Sequence, residues 1–405
     1  MVRRPVADGR PTVLVLTTTY PGRIGDGTPQ FVHDLCAALA SEFRMVVLAP
    51  RVRGAALVET VDGVEIHRFA YFPSRWEGLA DGATLPNLRR EKWRAVELPF
   101  LFGLFQFHAW RMVRRLGPDL VHAHWVIPTG LFAELAVGNR GIPVVLTAHG
   151  VDLHALRVGP LQWLRRWTIS RATTVLPVSE ALAGRVRDLV PDADQRVIPM
   201  GADTTELRRS VGSLTPRPGH LLFVGRLAEK KGVGVLLRAL AGVEGLSLTV
   251  AGDGPDRAGL ENLSAELGLI ERVRFLGRVS RNRIPELMRS AQAMVIPSVE
   301  SSDGDMEGTP LVLAEAVAVG LPVIASRLGG IADQMDDTTA VLVDPGDVRQ
   351  LEQALRDVAE GRIDLSSRAR EATSSVAPRL DLANTAEAYR SLYNGLVPPG
   401  SGTFS

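Results

Sequence analysis

Glu307 and Glu315 stand eight residues apart at the ends of EGTPLVLAE, where an acidic, Gly-bearing stretch turns abruptly apolar. Thr309 is suited to cap a helix and Pro310 to open it, because proline's missing N–H is no loss in a first turn. Glu307 is then expected in the loop just outside the helix and Glu315 within it. A helix start exposes unpaired N–H groups and the positive end of a dipole, so the segment offers an anion site with a carboxylate on either side. That combination suits a sugar phosphate.

A second group of residues supplies cations. FVGRLAEKKGVGVLLRAL places Gly225, Arg226, Lys230, Lys231 and Gly232 between an apolar run and an amphipathic pattern. Exposed basic residues are usually only solvated, but a loop that follows a strand lies where open α/β sheets bind ligands. VAGDGPDR adds a tight turn at Gly252 to Gly254, which serves close backbone approach or an ordinary strand-to-helix turn equally well. His149 and Gly150 close the apolar run VVLTAHGVD. The ring is either structural or left exposed by a sharp turn at Gly150. His122 and His124 in VHAHW share a strand face, yet without a third ligand nearby they predict no metal site. Gly22, Gly25 and Gly27 are wrongly spaced for G-x-G-x-x-G, and the chain has no Walker A sequence, which argues against a dinucleotide oxidoreductase and a simple nucleoside triphosphatase.

These residues need a scaffold that brings strand ends together. TVLVLT, RMVVLA, DLVHAH, PVVLTAHG, TTVLPVS and RVIPMG alternate with helical patterns, the signature of a parallel sheet with helical crossovers. ETVDGVEIHRF departs from this, since Asp62-Gly63 between two alternating runs signals a hairpin. After the Gly/Ser/Pro stretch SVGSLTPRPGH the alternation restarts with HLLFVG, LSLTVAGDG, VRFLG, AMVIPS, PVIAS and AVLVDPG. The expected fold is α/β, two Rossmann-like doubly wound domains facing a cleft. Residues 1–210 are expected to form the first domain, 211–380 the second, and 395–405 a disordered tail. A helix over 381–394 is expected to return to the first domain.

In this order, HG, VGRLAEKKG, AGDGP, FLGRV and the Glu307/Glu315 pair resemble family 4 of the retaining glycosyltransferases, over nearly the whole chain. The resemblance implies a GT-B architecture with a nucleotide-sugar donor held mainly by the second domain and a hydroxyl acceptor by the first. It puts Arg226 and Lys231 on the donor diphosphate, Glu315 on the ribose hydroxyls, and Glu307 and His149 on the transferred sugar. Arg278 and Val279 would meet the base through backbone groups. Gly27, Gly225, Gly308, Thr309 and Leu311 complete the expected donor-binding set. Two departures stand out: Gly25-Asp26-Gly27 where many relatives have adjacent glycines, and GGIAD at 329–333 where Pro-Glu is common. Asp303-Gly304-Asp305 imitates the D-x-D of metal-dependent glycosyltransferases of another fold. Because the cations and the helix start already supply positive charge, no metal or cofactor is expected.

The expected activity is retaining transfer of a hexosyl-type sugar from a nucleotide-diphosphate sugar to a glycan, lipid-linked sugar or small molecule. A nucleotide-sugar epimerase of the same architecture and a non-catalytic sugar-binding protein are the alternatives. Composition adds limits, with 46 Lys plus Arg against 45 Asp plus Glu giving no global pull toward nucleic acid. The one cysteine, Cys36, is expected to pack, and no signal-peptide core or membrane span is predicted. The chain is expected to be cytoplasmic, with a place at the inner face of the membrane if EKWRAVELPFLFGLFQFHAWRMVRRLG touches lipid rather than forming a buried helix.

Overall fold

The structure, a computed structural model, describes residues 9–23, 30–81, 84, 87, 88, 91–154, 159–302, 304 and 306–397. Its contacts divide into two units, Met1–Val178 with Leu182–Ile198 and Thr385–Ser405, and Ser179–Ala181 with Pro199–Asn384.

The first unit is built on strands β1 (Thr12–Leu16), β2 (Arg44–Pro50), β3 (Val58–Val61), β4 (Val64–Phe69), β5 (Leu120–His124), β6 (Val144–Ala148) and β7 (Thr174–Pro177), in the order β3-β4-β2-β1-β5-β6-β7. Every pairing is parallel except β3 with β4, the hairpin expected at Asp62-Gly63, where both turn residues take positive φ. β1, β5 and β6 are buried at every residue, which is why they read as continuous apolar runs. RVIPMG forms no strand of its own. Arg196 and Ile198 donate to the carbonyls of Val175 and Pro177 beside β7, and Pro199, which has no N–H, ends the pairing. Cys36 is buried on the helix Phe31–Leu39.

The second unit carries six parallel strands in the order β10-β9-β8-β11-β12-β13. They are β8 (His220–Val224), β9 (Ser247–Ala251), β10 (Val273–Gly277), β11 (Ala293–Ile296), β12 (Val323–Ser326) and β13 (Val341–Val343). Two apolar clusters form its core, one centred on Leu236, Leu240 and Leu355, the other on Met294, Leu313 and Ala325. The sheets are the two doubly wound layers expected.

The division between the units falls near residue 199, not 210. The helix Thr205–Val211 and the stretch taken for a linker belong to the second unit: Thr215 and Arg217 donate to the carbonyls of Arg289 and Ser290, and Arg289 Nε donates to Val211 O at 2.8 Å. Low apolar content hid these backbone ties. The terminal helix runs Leu382–Leu396, and Val397 is buried, so an ordered chain continues past the expected tail start at 395. Residues 398–405 lie outside the described residues. From Thr385 onward the helix belongs to the first unit, where Tyr389 and Tyr393 are fully buried. The segment singled out for its aromatics is the helix Leu98–Leu116, which is buried on one face only. Among the described residues no helix is long and apolar enough to cross a membrane.

Candidate active site

In the second unit the carboxyl ends of β8, β9 and β10 are laced together by backbone hydrogen bonds. Gly225 N donates to Ala251 O at 3.0 Å, Leu227 N to Asp253 O at 3.0 Å, and Gly252 N to Gly277 O at 2.9 Å. A Cβ at Gly252 would lie 1.8 Å from Gly225 O, and one at Gly254 would lie 2.1 Å from Leu227 O. The AGDGP glycines therefore let two loops touch, and in doing so they hold the loop that bears the exposed Arg226. Arg278 is likewise exposed just after β10, while Val279 packs against the second core cluster.

The turn Glu229–Lys231 is tied at three points to the chain beyond β11. Val299 N donates to Lys230 O at 2.9 Å, Ser302 donates through N and Oγ to the Glu229 carboxylate, and Lys231 Nζ donates to Glu307 Oε2 at 2.7 Å. Gly232 makes the approach possible. Its φ is +65°, and a Cβ there would sit 1.7 Å from Pro297 O. Lys230 Nζ adds a contact of 3.5 Å to Glu307 Oε1, so each carboxylate oxygen faces its own ammonium group.

Burial by itself would raise the Glu307 carboxyl, but Lys231 and then Lys230 outweigh it and hold the group below the usual carboxylate range. Glu307 is therefore an anion with one-tenth of its side chain exposed. Two ammonium groups against one carboxylate leave the cluster net positive, as a site for an anionic ligand requires. Glu315 differs: burial raises its carboxyl, and Arg281 only partly opposes the rise.

The helix behind Glu307 begins one residue later than expected. Leu311 is its first residue and Pro310, in extended backbone, holds the cap position in place of Thr309, with no side-chain cap bond. Glu315 lies inside the helix, and Leu311 packs partly against the core. Gly308 and Thr309 form the loop with Glu307, and the Gly329-Gly330 pair packs directly against it. Gly330 N donates to Gly308 O at 3.1 Å, and a Cβ on Gly329, whose φ is +52°, would meet Glu307 O at 2.3 Å. Asp303 and Asp305, like Gly27, lie outside the described residues.

In the first unit His149, partly exposed, follows β6 and joins the buried His122 and His124 in an imidazole cluster. His149 Nε2 lies 3.0 Å from His124 Nδ1, with the two rings stacked. His122 pairs through Nδ1 with Tyr393 OH at 2.7 Å and through Nε2 with Thr147 Oγ1 at 2.8 Å, and Thr147 reaches Tyr389 OH at 2.9 Å. Burial pushes His122 and His149 down to about 3 and His124 well below its ordinary value. These rings are neutral near pH 7.

Asp152 went unnoticed in the sequence. Its buried carboxylate accepts from Val126 N at 2.7 Å, Gly150 N at 2.9 Å and His149 N at 3.2 Å, which fixes the backbone that carries the histidine. An acid three residues after His149 was the available signal. The two aromatic-rich turns of the terminal helix gave none, since nothing local links residue 393 to residue 122.

Lys231, Lys230, Glu307, Gly308 and Thr309 thus converge in one unit, and His149 belongs to the other. Two α/β units, one on a parallel sheet and one on a sheet parallel but for its edge hairpin, with cations and carboxylates at the strand ends of the second, define the GT-B class. Residues 205–375 match the family described as Glycosyl transferases group 1, and residues 26–201 match the Glycosyl transferase 4-like domain. The chain is 32% identical over 400 residues to D-inositol 3-phosphate glycosyltransferase 2 of Catenulispora acidiphila, covering 90% of this chain and 89% of that one. Among solved structures it resembles sucrose-phosphate synthase from Thermosynechococcus elongatus, with a TM-score of 0.77 and 20% identity over 96% of this chain and 99% of that one. It also resembles Anabaena HepE in complex with UDP-glucose, with a TM-score of 0.69 and 18% identity over 95% and 99% of the two chains. The chain belongs to the group 1 glycosyltransferases.

Proposed function

We propose that the protein transfers a hexosyl-type sugar, with retention and without a metal, from a nucleotide-diphosphate sugar to a hydroxyl acceptor in glycan, glycolipid or glycoside biosynthesis. The observation that carries this reading is the Lys230–Glu307–Lys231 cluster beside the start of the helix Leu311–Ala318. Its ammonium groups, together with Arg226, suit a leaving diphosphate, which gains negative charge as the glycosidic bond breaks. Glu307 then orients sugar hydroxyls and Glu315 those of the ribose. A similar protein, HepE, was solved with UDP-glucose, which supports a donor of this class.

The reaction runs by displacement on one face of the sugar. The leaving phosphate oxygen accepts the acceptor's hydroxyl proton while Arg226 and Lys231 stabilise the departing charge. A double displacement would need a carboxylate free to attack the anomeric carbon. Both oxygens of Glu307 face lysines, which makes it a poor nucleophile.

The test incubates the protein with uridine, guanosine and adenosine diphosphate sugars, with and without a panel of hydroxyl acceptors, and follows release of nucleoside diphosphate and a new glycoside. Acceptor-dependent release with one donor is expected. Conversion of a donor to its epimer without release would replace the reading.

A further inference from the structure

The helix Leu98–Leu116 has two unlike faces. Leu101, Phe105, Ala109 and Val113 recur every fourth residue and are buried. On the other side Phe100, Phe107 and Trp110 are exposed at 51%, 49% and 38%. Arg111 and Arg114 extend the same stripe, because steps of three, four and seven residues keep side chains on one helical face. Phe107 stacks on Trp110, and the Arg114 guanidinium lies 4.1 Å from the centre of the Trp110 ring.

The apolar surface continues off the helix. Phe72 packs on Phe100 with ring centroids 5.4 Å apart. The nearby Trp76 and Trp93 are about half exposed, and Arg94 binds the two segments by donating to Trp76 O while its guanidinium lies over the Trp93 ring. Charge on this face is mostly of one sign, the partly exposed Glu91 at its edge being paired with Arg94 at 3.0 Å. From 92 to 116 the sole acid is Glu97, fully buried and paired with Arg94 at 2.8 Å, whereas Lys92, Arg111, Arg114 and Arg115 are exposed.

We propose that this face of the first unit docks on an anionic lipid bilayer, its aromatic rings entering the interface and its arginines meeting headgroup phosphates. A monomer in water rarely exposes so many large rings together. Rings of this kind beside arginines, with no exposed acid among them, match the chemistry of the bilayer interface, and the charge selects anionic lipid. The buried face pins the helix to the core, so docking requires no refolding. The inference is independent of the donor-site reading, since vesicle binding is read without turnover.

The full chain is sedimented at low salt with phosphatidylcholine vesicles, either pure or containing phosphatidylglycerol. It is expected to follow the anionic vesicles, to stay largely in solution with the neutral ones, and to be released by salt. A Phe107→Ser, Trp110→Ser double variant, altered only at exposed positions and checked for folding by circular dichroism, should partition about tenfold less or weaker still. Arg111→Glu with Arg114→Glu should lose on the order of tenfold at low salt. Absence of binding to anionic vesicles, or equal partition of parent and both variants, overturns the proposal. So does concentration-dependent self-association that the Phe107/Trp110 variant abolishes, which would assign the face to a second copy of the chain.

Discussion

Lys231 Nζ lies 2.7 Å from Glu307 Oε2, joining a turn after β8 to a loop 76 residues further along the chain. The contact gives the ammonium a partner in the free protein, and that partner must share it once a diphosphate arrives. A carboxylate held below its usual range is a weak base and a good orienting group, so its place beside the lysine fits hydroxyl binding better than attack.

The pair predicts opposite effects on binding. Lys231→Ala should weaken nucleoside diphosphate affinity on the order of tenfold or more, because a partly buried cation is lost and Glu307 is left without its main partner. Glu307→Gln, which frees Lys231 for phosphate, should bind the nucleotide at least as tightly as the parent. Calorimetric titration of both variants checks this, and weaker binding by Glu307→Gln than by Lys231→Ala would reverse the assigned roles.

Turnover should fall about a hundredfold in Lys231→Ala and in Arg226→Ala, the loss typical of removing one donor that stabilises developing charge. Near-parental rates in both folded variants would remove these residues from the site.

Gly232→Ala places a side chain against Pro297 O at a residue with φ of +65°. Displacing the turn should cost about 1–3 kcal/mol of stability and lower donor affinity together. An unchanged melting temperature with parental affinity would show that the turn tolerates the side chain.

Under the proposed reaction rates should be insensitive to chelators, since side-chain cations and a helix start would supply the positive charge a metal otherwise brings. Activity abolished by EDTA and restored by manganese or magnesium would contradict this.

Acid should destabilise the first unit. His122 and His149 are pushed down to about 3 in the fold, while an unfolded histidine titrates near 6.5. Below about pH 6.5 the unfolded chain therefore holds more protons than the native one. Stability is full above that value and falls as pH drops toward the folded pKa, by up to about 1.4 kcal/mol per pH unit for each histidine. The melting temperature should be steady from pH 8 to 7 and then decline, with His122→Gln flattening the slope. A parent curve that stays flat between pH 6.5 and 4.5 would show that the cluster is not neutral and buried.

Much of this was legible in the sequence because periodicity is local. Among the described residues eleven of the thirteen strands show as apolar runs and the other two are the arms of the hairpin that Asp62-Gly63 announced, and the places of Arg226, Lys231 and Glu307 in loops after strands and of Glu315 in a helix follow from the same pattern. What escaped depends on distant partners. The contact of Gly329 and Gly330 with the Glu307 loop could not be read from the sequence, and the linker reading failed because backbone bonds to Arg289 and Ser290 leave no compositional mark. The helix Leu98–Leu116 shows the same limit: its apolar content is plain, but only packing separates the buried Leu101 and Phe105 from the exposed Phe107 and Trp110.

The most direct test of the central claim is the anomeric configuration of the transferred sugar, read by proton NMR on the first product formed from a nucleotide sugar of known configuration. Displacement on one face, with Arg226 and Lys231 holding the leaving diphosphate, predicts the configuration of the donor in the product. An inverted product would contradict it.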